Sequence, residues 1–341
     1  MHHPTRFILN PTDSHHRLGV AWQRCQRECL RRLQPSDVVV VESAAEAAEA
    51  AWQAAMEGYM RLIVVGTAAT ANGVVNGLMR LAPSHRRLVR LGFLSPLRPS
   101  EWGRTTGFPR RLGRQLEVLR AAEVLPFDLG RMTPGLGHAT GEPRYFLNGA
   151  CFGMMSEIRE AISQHGGHWG EAVRQVCSSV GTFLFDQRAR ARIDDEDGVL
   201  YQGPWLMGMV MVGRYYPGIG DAAPEADPRD GQLNLVWMDA RTRRGKWQQF
   251  STYLLRRNPR ALAHTQGRSF HAVNLNVPMH VEVDGVAAGM LPASFDVEPL
   301  ALSIIVPQAV ARQRKPRFAA LPELRDGRLA GGLGGATRLA S

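Results

Sequence analysis

The sequence predicts an α/β protein: an N-terminal three-layer domain built on a parallel sheet, followed by a mainly antiparallel β domain. Three observations predict it. Strand-like and helix-like segments alternate from Arg6 to Leu94, the pattern of a parallel sheet covered on both faces. After about Pro143 strand-like runs dominate, with only two helical interruptions. The chain, 341 residues and 44% hydrophobic, is long and apolar enough for two cores sharing a cleft. The boundaries fall at residues 1–140, 141–310 and a flexible basic tail, 311–341, that lacks periodicity.

Arg6–Asn10 reads as a short apolar strand, and Arg17–Leu33 has helical periodicity. Pro35 and Ser36 turn the chain into Asp37–Val41, a valine run of the buried parallel kind. Ser43 with Glu46 three residues on forms a capping box before an alanine-rich helix that Gly58 ends. Arg61–Val65 is the third strand, and Leu88–Leu94 the fourth after another helix. In the second half the predicted strands are Arg144–Gly153, Ala189–Ile193, Trp205–Gly213, Leu233–Met238, Met279–Val283 and Ala301–Val306. The helices between them are Ser156–Ser163 and Trp169–Phe185.

Composition narrows the classes. No apolar run reaches the ~18 residues of a membrane span, and the N-terminus enters a strand with no secretory signal pattern. Cys25, Cys29, Cys151 and Cys177 form no disulfide framework or metal spacing, so a reduced cytoplasmic protein is expected. The net charge of +10 is almost all arginine, with lysine only at 246 and 315. The arginines are scattered and no nucleic-acid motif accompanies them, so nucleic acid is set aside. Attraction to an anionic lipid surface remains open. Asp194-Asp195-Glu196-Asp197-Gly198 is an acidic hairpin turn lacking the calcium-loop pattern. His15, His16, His165 and His168 read as surface positions, and Gly331–Gly335 has no strand before it.

The most informative segment runs from Leu62 to Leu78. A buried strand enters a turn of small residues, Gly66-Thr67-Ala68-Ala69-Thr70, and an apolar helix follows at once. Small residues let a backbone approach phosphate, and a helix N-terminus offers unpaired N–H groups and a positive dipole. The N-terminal domain is therefore nucleotide-binding-like. The segment resembles the G-G-D-G-T-x-N-E-V-x-N-G-L signature of the diacylglycerol kinase catalytic-domain family, which includes bacterial lipid kinases and sphingosine kinases. Gly66, Thr70, Asn72, Asn76, Gly77 and Leu78 match it; Thr67, Ala68, Ala69 and Gly73 replace its second Gly, Asp, third Gly and Glu.

Further landmarks fall in order. Asn10-Pro11 resembles the family's opening N-P, and Pro126–Gly130 its P-x-D-L-G segment. Phe146-Leu147-Asn148 with Gly153 is similar to the strand entering its second domain. Ala223–Ala226 with Asp230–Leu233 is similar to A-P-x-A…D-G-x-L. Asp284-Gly285 stands at D-G-E, and Leu302–Pro307 at the closing strand.

The resemblance implies ATP-dependent phosphorylation of a lipid hydroxyl, with ATP and Mg²⁺ as cofactors and acidic groups at three points of the cleft. Residue by residue, Ala68 replaces the first acid and Val286 the third. Glu101 keeps the second, although Leu97-Arg98-Pro99-Ser100 replaces its glycine loop. Losing a general base costs ~10²–10⁴ in rate, so catalytic impairment is expected: a pseudokinase binding lipid, nucleotide or a partner. The alternative is an active lipid kinase with relocated residues: Glu101 as carboxylate, Arg98 as phosphate clamp, Asp284 or Asp230 as metal ligand. A third reading, a membrane-surface module, uses the arginine excess. The expected nucleotide-binding residues are Asn10, Gly66, Thr67, Thr70, Asn72 and Arg98, and Thr70 and Asn72 serve either a ligand or the helix cap. Thr67 and Ala69 are expected to make the phosphate-cradling backbone costly. The protein is expected in the cytoplasm, peripheral at the inner membrane face if it engages lipid; a homodimer is left open.

Overall fold

The computed structural model describes residues 4–13, 16–97, 100–135, 141–158, 189–217, 219–239 and 262–312. Arg98, His15, Cys177, the predicted helix Trp169–Phe185 and the tail from residue 313 lie outside the described residues.

Four parallel strands form one end of the sheet, in the order β2 (Ser36–Val40), β1 (Thr5–Leu9), β3 (Arg61–Val65), β4 (Arg90–Phe93). β3 is buried at every position, as its unbroken apolar run requires when both faces are covered. β2 departs from the expected buried strand. It pairs with β1 at the sheet edge, and its Val40 is 58% exposed. A valine run reports β propensity but not whether a further strand lies beyond it.

The covering helices follow from their sequences. α1 (Arg17–Arg32) buries Leu18, Trp22, Cys25 and Cys29 along one face. α2 (Ala44–Met56) opens with the expected box: Glu46 N–H donates to Ser43 Oγ at 3.1 Å, and Glu46 Oε2 accepts from Glu42 N–H at 3.0 Å. α3 (Ala68–Met79) lies against α2 so closely that a Cβ on Gly73 would stand 2.2 Å from Ala44 O, and one on Gly77 2.0 Å from Ala48 O. Gly73, the departure from the family's Glu, is thus a packing residue. Two glycines four apart and the alanine face of α2 let the backbones meet.

The short helices α4 (Pro83–Arg86), α5 (Glu101–Thr105) and α6 (Leu112–Ala121) lead to β5 (Val124–Pro134). β17 (Ala293–Ile305) pairs antiparallel with β5 and parallel with β4, so the last strand completes the N-terminal parallel sheet. The predicted strand Arg144–Gly153 is divided into β6 (Arg144–Phe146) and β7 (Gly149–Gly153) by Leu147-Asn148. β7, β8 (Arg190–Asp195), β9 (Gly198–Met211), β14 (Ser269–Asn274), β15 (His280–Val283) and β16 (Val286–Met290) continue the sheet antiparallel. Its order is β16-β15-β7-β9-β8-β14-β17-β4-β3-β1-β2, with β12 (Leu233–Asp239) and β13 (Ala263–Gly267) joined through β9. Phe152 anchors the antiparallel core, stacked on Trp205 at 5.3 Å and Phe295 at 5.7 Å.

Candidate functional site: the cleft at the start of α3

A cleft of about 570 Å³ opens between the N-terminus of α3, the loop before α5 and the β15–β16 turn. It is lined by Gly66, Thr67 and Ala68 from the first, Ser95, Leu97 and Glu101 from the second, and Asp284 and Gly285 from the third, with Arg17 at its mouth. Widely separated sequence landmarks therefore converge on one concavity.

The turn into α3 does not take a glycine-dependent form. Thr67 is extended (φ −80°, ψ −177°) and Ala69 is already helical, so the expected backbone cost does not arise. Gly66 is required for another reason: a Cβ there would lie 2.5 Å from the Thr70 side chain.

The N–H of the N-cap residue Thr67 has a partner that sequence reasoning missed. Asp13 Oδ2 accepts from Thr67 N–H at 2.6 Å and from Thr70 Oγ1 at 2.7 Å. Asn10 presents it: its Oδ1 accepts from Thr12 N–H at 3.1 Å and Thr12 Oγ1 at 2.7 Å, and its Nδ2 donates to Thr70 Oγ1 at 3.2 Å. A carboxylate belonging to the chain thus stands where the helix dipole favours an anion. The available signal was an acid three residues after Asn10, just beyond the first strand. The Thr70 hydroxyl donates to this carboxylate, and among the described residues no side chain caps α3.

Asn72 ties α3 to distant parts of the chain. Its Nδ2 donates to Tyr145 O at 2.8 Å and to Asp284 Oδ2 at 3.0 Å. Asn76 holds the same strand, accepting from Tyr145 N–H at 3.0 Å. Asp284 is 1% exposed and lies at the first positive-φ position (φ 49°) of the turn completed by Gly285 (φ 82°). It accepts from the backbone N–H groups of Leu147 (2.8 Å), Asn148 (2.9 Å) and Gly149 (3.2 Å), and from Asn148 Nδ2 at 3.1 Å. Burial pushes its carboxyl up, and those N–H donors act in the opposite sense. Its oxygens are committed to fastening the β6–β7 break to α3, which argues against the metal-ligand role. Val286 pairs with Val283 across the turn and offers no polar atom.

Glu101 begins α5, where Ser100 Oγ accepts from Gly103 N–H at 3.1 Å. Its side chain lines the cleft and makes no hydrogen bond or ion pair to the described residues. Ala68, the first residue of α3, faces the same space.

Asp230 lies away from the cleft, in a turn where its Oδ1 accepts from Gln232 N–H at 2.9 Å. Among the described residues no three His, Cys, Asp or Glu side chains converge as a metal site, so the structure does not supply Asp230 with companion ligands. The same turn is fastened by Asp128, fully buried, whose oxygens accept from Gly231 N–H and Leu300 N–H, both at 2.8 Å. Burial, aided by the charges of Asp230 and Asp227, pushes its carboxyl up to about 6. A folded-state value above the unfolded one contributes stability that is complete below about pH 4 and lost as pH rises through about 6. The unfolding free energy of the wild type, measured by urea denaturation, is therefore expected to fall by about 2 kcal/mol between pH 4.5 and 7 relative to Asp128→Asn. Parallel pH profiles would refute this.

No protein-family model matches the chain. It is 26% identical over 275 residues to the diacylglycerol kinase of Bacillus subtilis (strain 168), spanning 79% of this chain and 85% of that protein. It is 23% identical over 315 residues to the diacylglycerol kinase of Staphylococcus carnosus (strain TM300), spanning 85% and 90%. A diacylglycerol kinase structure from Bacillus anthracis strain Sterne superposes with a TM-score of 0.67 at 18% identity, covering 90% of this chain and 98% of that one. The chain shares the fold of that diacylglycerol kinase structure, and its sequence is similar to the two bacterial diacylglycerol kinases over most of its length. Among the described residues no helix is long and apolar enough to cross a membrane.

Proposed function

We propose that this protein is a diacylglycerol-kinase-like chain whose phosphotransfer centre is impaired and whose cleft binds a lipid. The observation that carries this reading is Asp13, whose carboxylate takes the Thr67 N–H and Thr70 hydroxyl at the start of α3. A triphosphate with its magnesium ion does not fit these groups as they stand. Its anionic oxygens would meet a carboxylate already seated on the donors, and Ala68 and Val286 offer no oxygen to a metal. The surviving cleft is half apolar in character, with Leu18, Ala68, Leu97 and Pro217 beside Glu101. Such a lining suits a lipid, and the arginine excess favours a peripheral position on an anionic surface.

Labelled ATP offered with diacylglycerols and sphingoid bases is expected to yield no phosphorylated product above background. Turnover that is robust, and lost in Glu101→Ala, would overturn the proposal. That outcome would support the second reading, an active kinase, which rests on the Glu101 carboxylate that faces the cleft with no partner among the described residues.

A further inference from the structure

Behind Ala68 lies a hollow of about 10 Å³ that shares Ala68 and Glu101 with the cleft and is closed by Phe93, Trp102 and Asn148. Two buried polar atoms of its lining residues have no partner among the described residues: Trp102 Nε1 and Asn148 Oδ1. Both residues are 2% exposed. The Asn148 amide is oriented by Asp284, to which its Nδ2 donates at 3.1 Å, so Oδ1 is turned away from that carboxylate. The Trp102 ring is fixed edge-on to Phe127 at 5.1 Å. Leaving a donor and an acceptor dry is costly, and buried polar atoms of this kind almost always have a partner. The hollow has the volume of one water-sized group.

We propose that this hollow is a subsite for a single hydroxyl group, which accepts from Trp102 Nε1–H and donates to Asn148 Oδ1. The occupant is the free alcohol of a neutral ligand lying in the cleft, and a water when the cleft is empty. A carbonyl would satisfy only Trp102, an ammonium only Asn148, and a phosphate is too large. A longer side chain at position 68 would fill the space, and the indole at 102 supplies the N–H. It deepens the reading of the cleft as a lipid site and rests on it.

The test is NMR on ¹⁵N-labelled protein, with the Trp102 indole signal identified by its loss in Trp102→Phe. In lipid-free protein that signal is expected to show a cross-peak to bound water; its absence overturns the subsite. Titration with 1,2-dioctanoylglycerol is expected to remove the cross-peak, and the same lipid methylated on its free hydroxyl to bind about tenfold more weakly. Trp102→Phe, and separately Ala68→Ser, which places a hydroxyl of the chain in the hollow, are expected to abolish that tenfold preference. Equal binding of alcohol and ether by the wild type overturns the subsite while leaving the lipid reading intact. A water cross-peak that neither lipid disturbs identifies a structural water only and overturns the ligand assignment. Binding of neither lipid by any variant counts against the lipid reading itself.

Discussion

Asp284→Ala is expected to destabilise the protein by at least ~4 kcal/mol, near the upper tail for single substitutions. Its carboxylate is the common acceptor for three successive backbone N–H groups, at Leu147, Asn148 and Gly149, and for the amides of Asn72 and Asn148. Each buried donor left without a partner costs about 1–3 kcal/mol. Alanine would orphan all of them at a buried position, since Asp284 is 1% exposed. Asp284→Asn keeps one oxygen for the backbone donors but turns an N–H₂ toward others, so it is expected to recover only part of the loss. Urea denaturation of the three proteins at one pH measures this. A loss below 1 kcal/mol for Asp284→Ala would show that the clamp is not what joins α3 to the β6–β7 break.

Asp13→Ala is expected to raise the affinity of the α3 terminus for anions. The start of α3 retains a positive dipole and unpaired N–H groups once the carboxylate leaves. A unit charge about 4 Å from a phosphate oxygen, at an effective dielectric of about 20, is worth about 4 kcal/mol. Removing it is expected to strengthen ATP binding by ~10²–10³-fold, measured by calorimetry with and without Mg²⁺. Asp13→Asn, which keeps an acceptor for Thr67 N–H, is expected to fall between the two. Unchanged affinity in Asp13→Ala would remove the main support for an impaired phosphate site. Gain of affinity without gain of phosphotransfer would separate the blocked helix end from the missing acids at positions 68 and 286.

The two largest effects fall on residues whose importance the sequence conveyed unevenly. Asp284-Gly285 was legible as a motif, but its role as an acceptor for β6–β7 depends on a segment well over a hundred residues away in the chain. Asp13 carried no motif at all. Its partners Thr67 and Thr70 become neighbours only because β1 and β3 pair in register, with Leu9 opposite Val65. Asn72 and Asn76 matched the expected signature, yet both turned out to hold strand β6 in place. Glu101 stands at the second acid of the family pattern, and the structure does bring it to the cleft.

The sequence alone determined the alternation of elements, the central place of β3, the cap at Ser43 and the resemblance carried by the ordered motifs. These depend on local periodicity and on residues adjacent along the backbone. The tertiary structure decided which polar groups satisfy which: the Asp13 carboxylate at the α3 terminus and the donors around Asp284, joined through the return of β17 to β4. Those outcomes follow from burial, which forces each desolvated donor or acceptor to find a partner across the fold, and spacing along a chain carries no record of that choice.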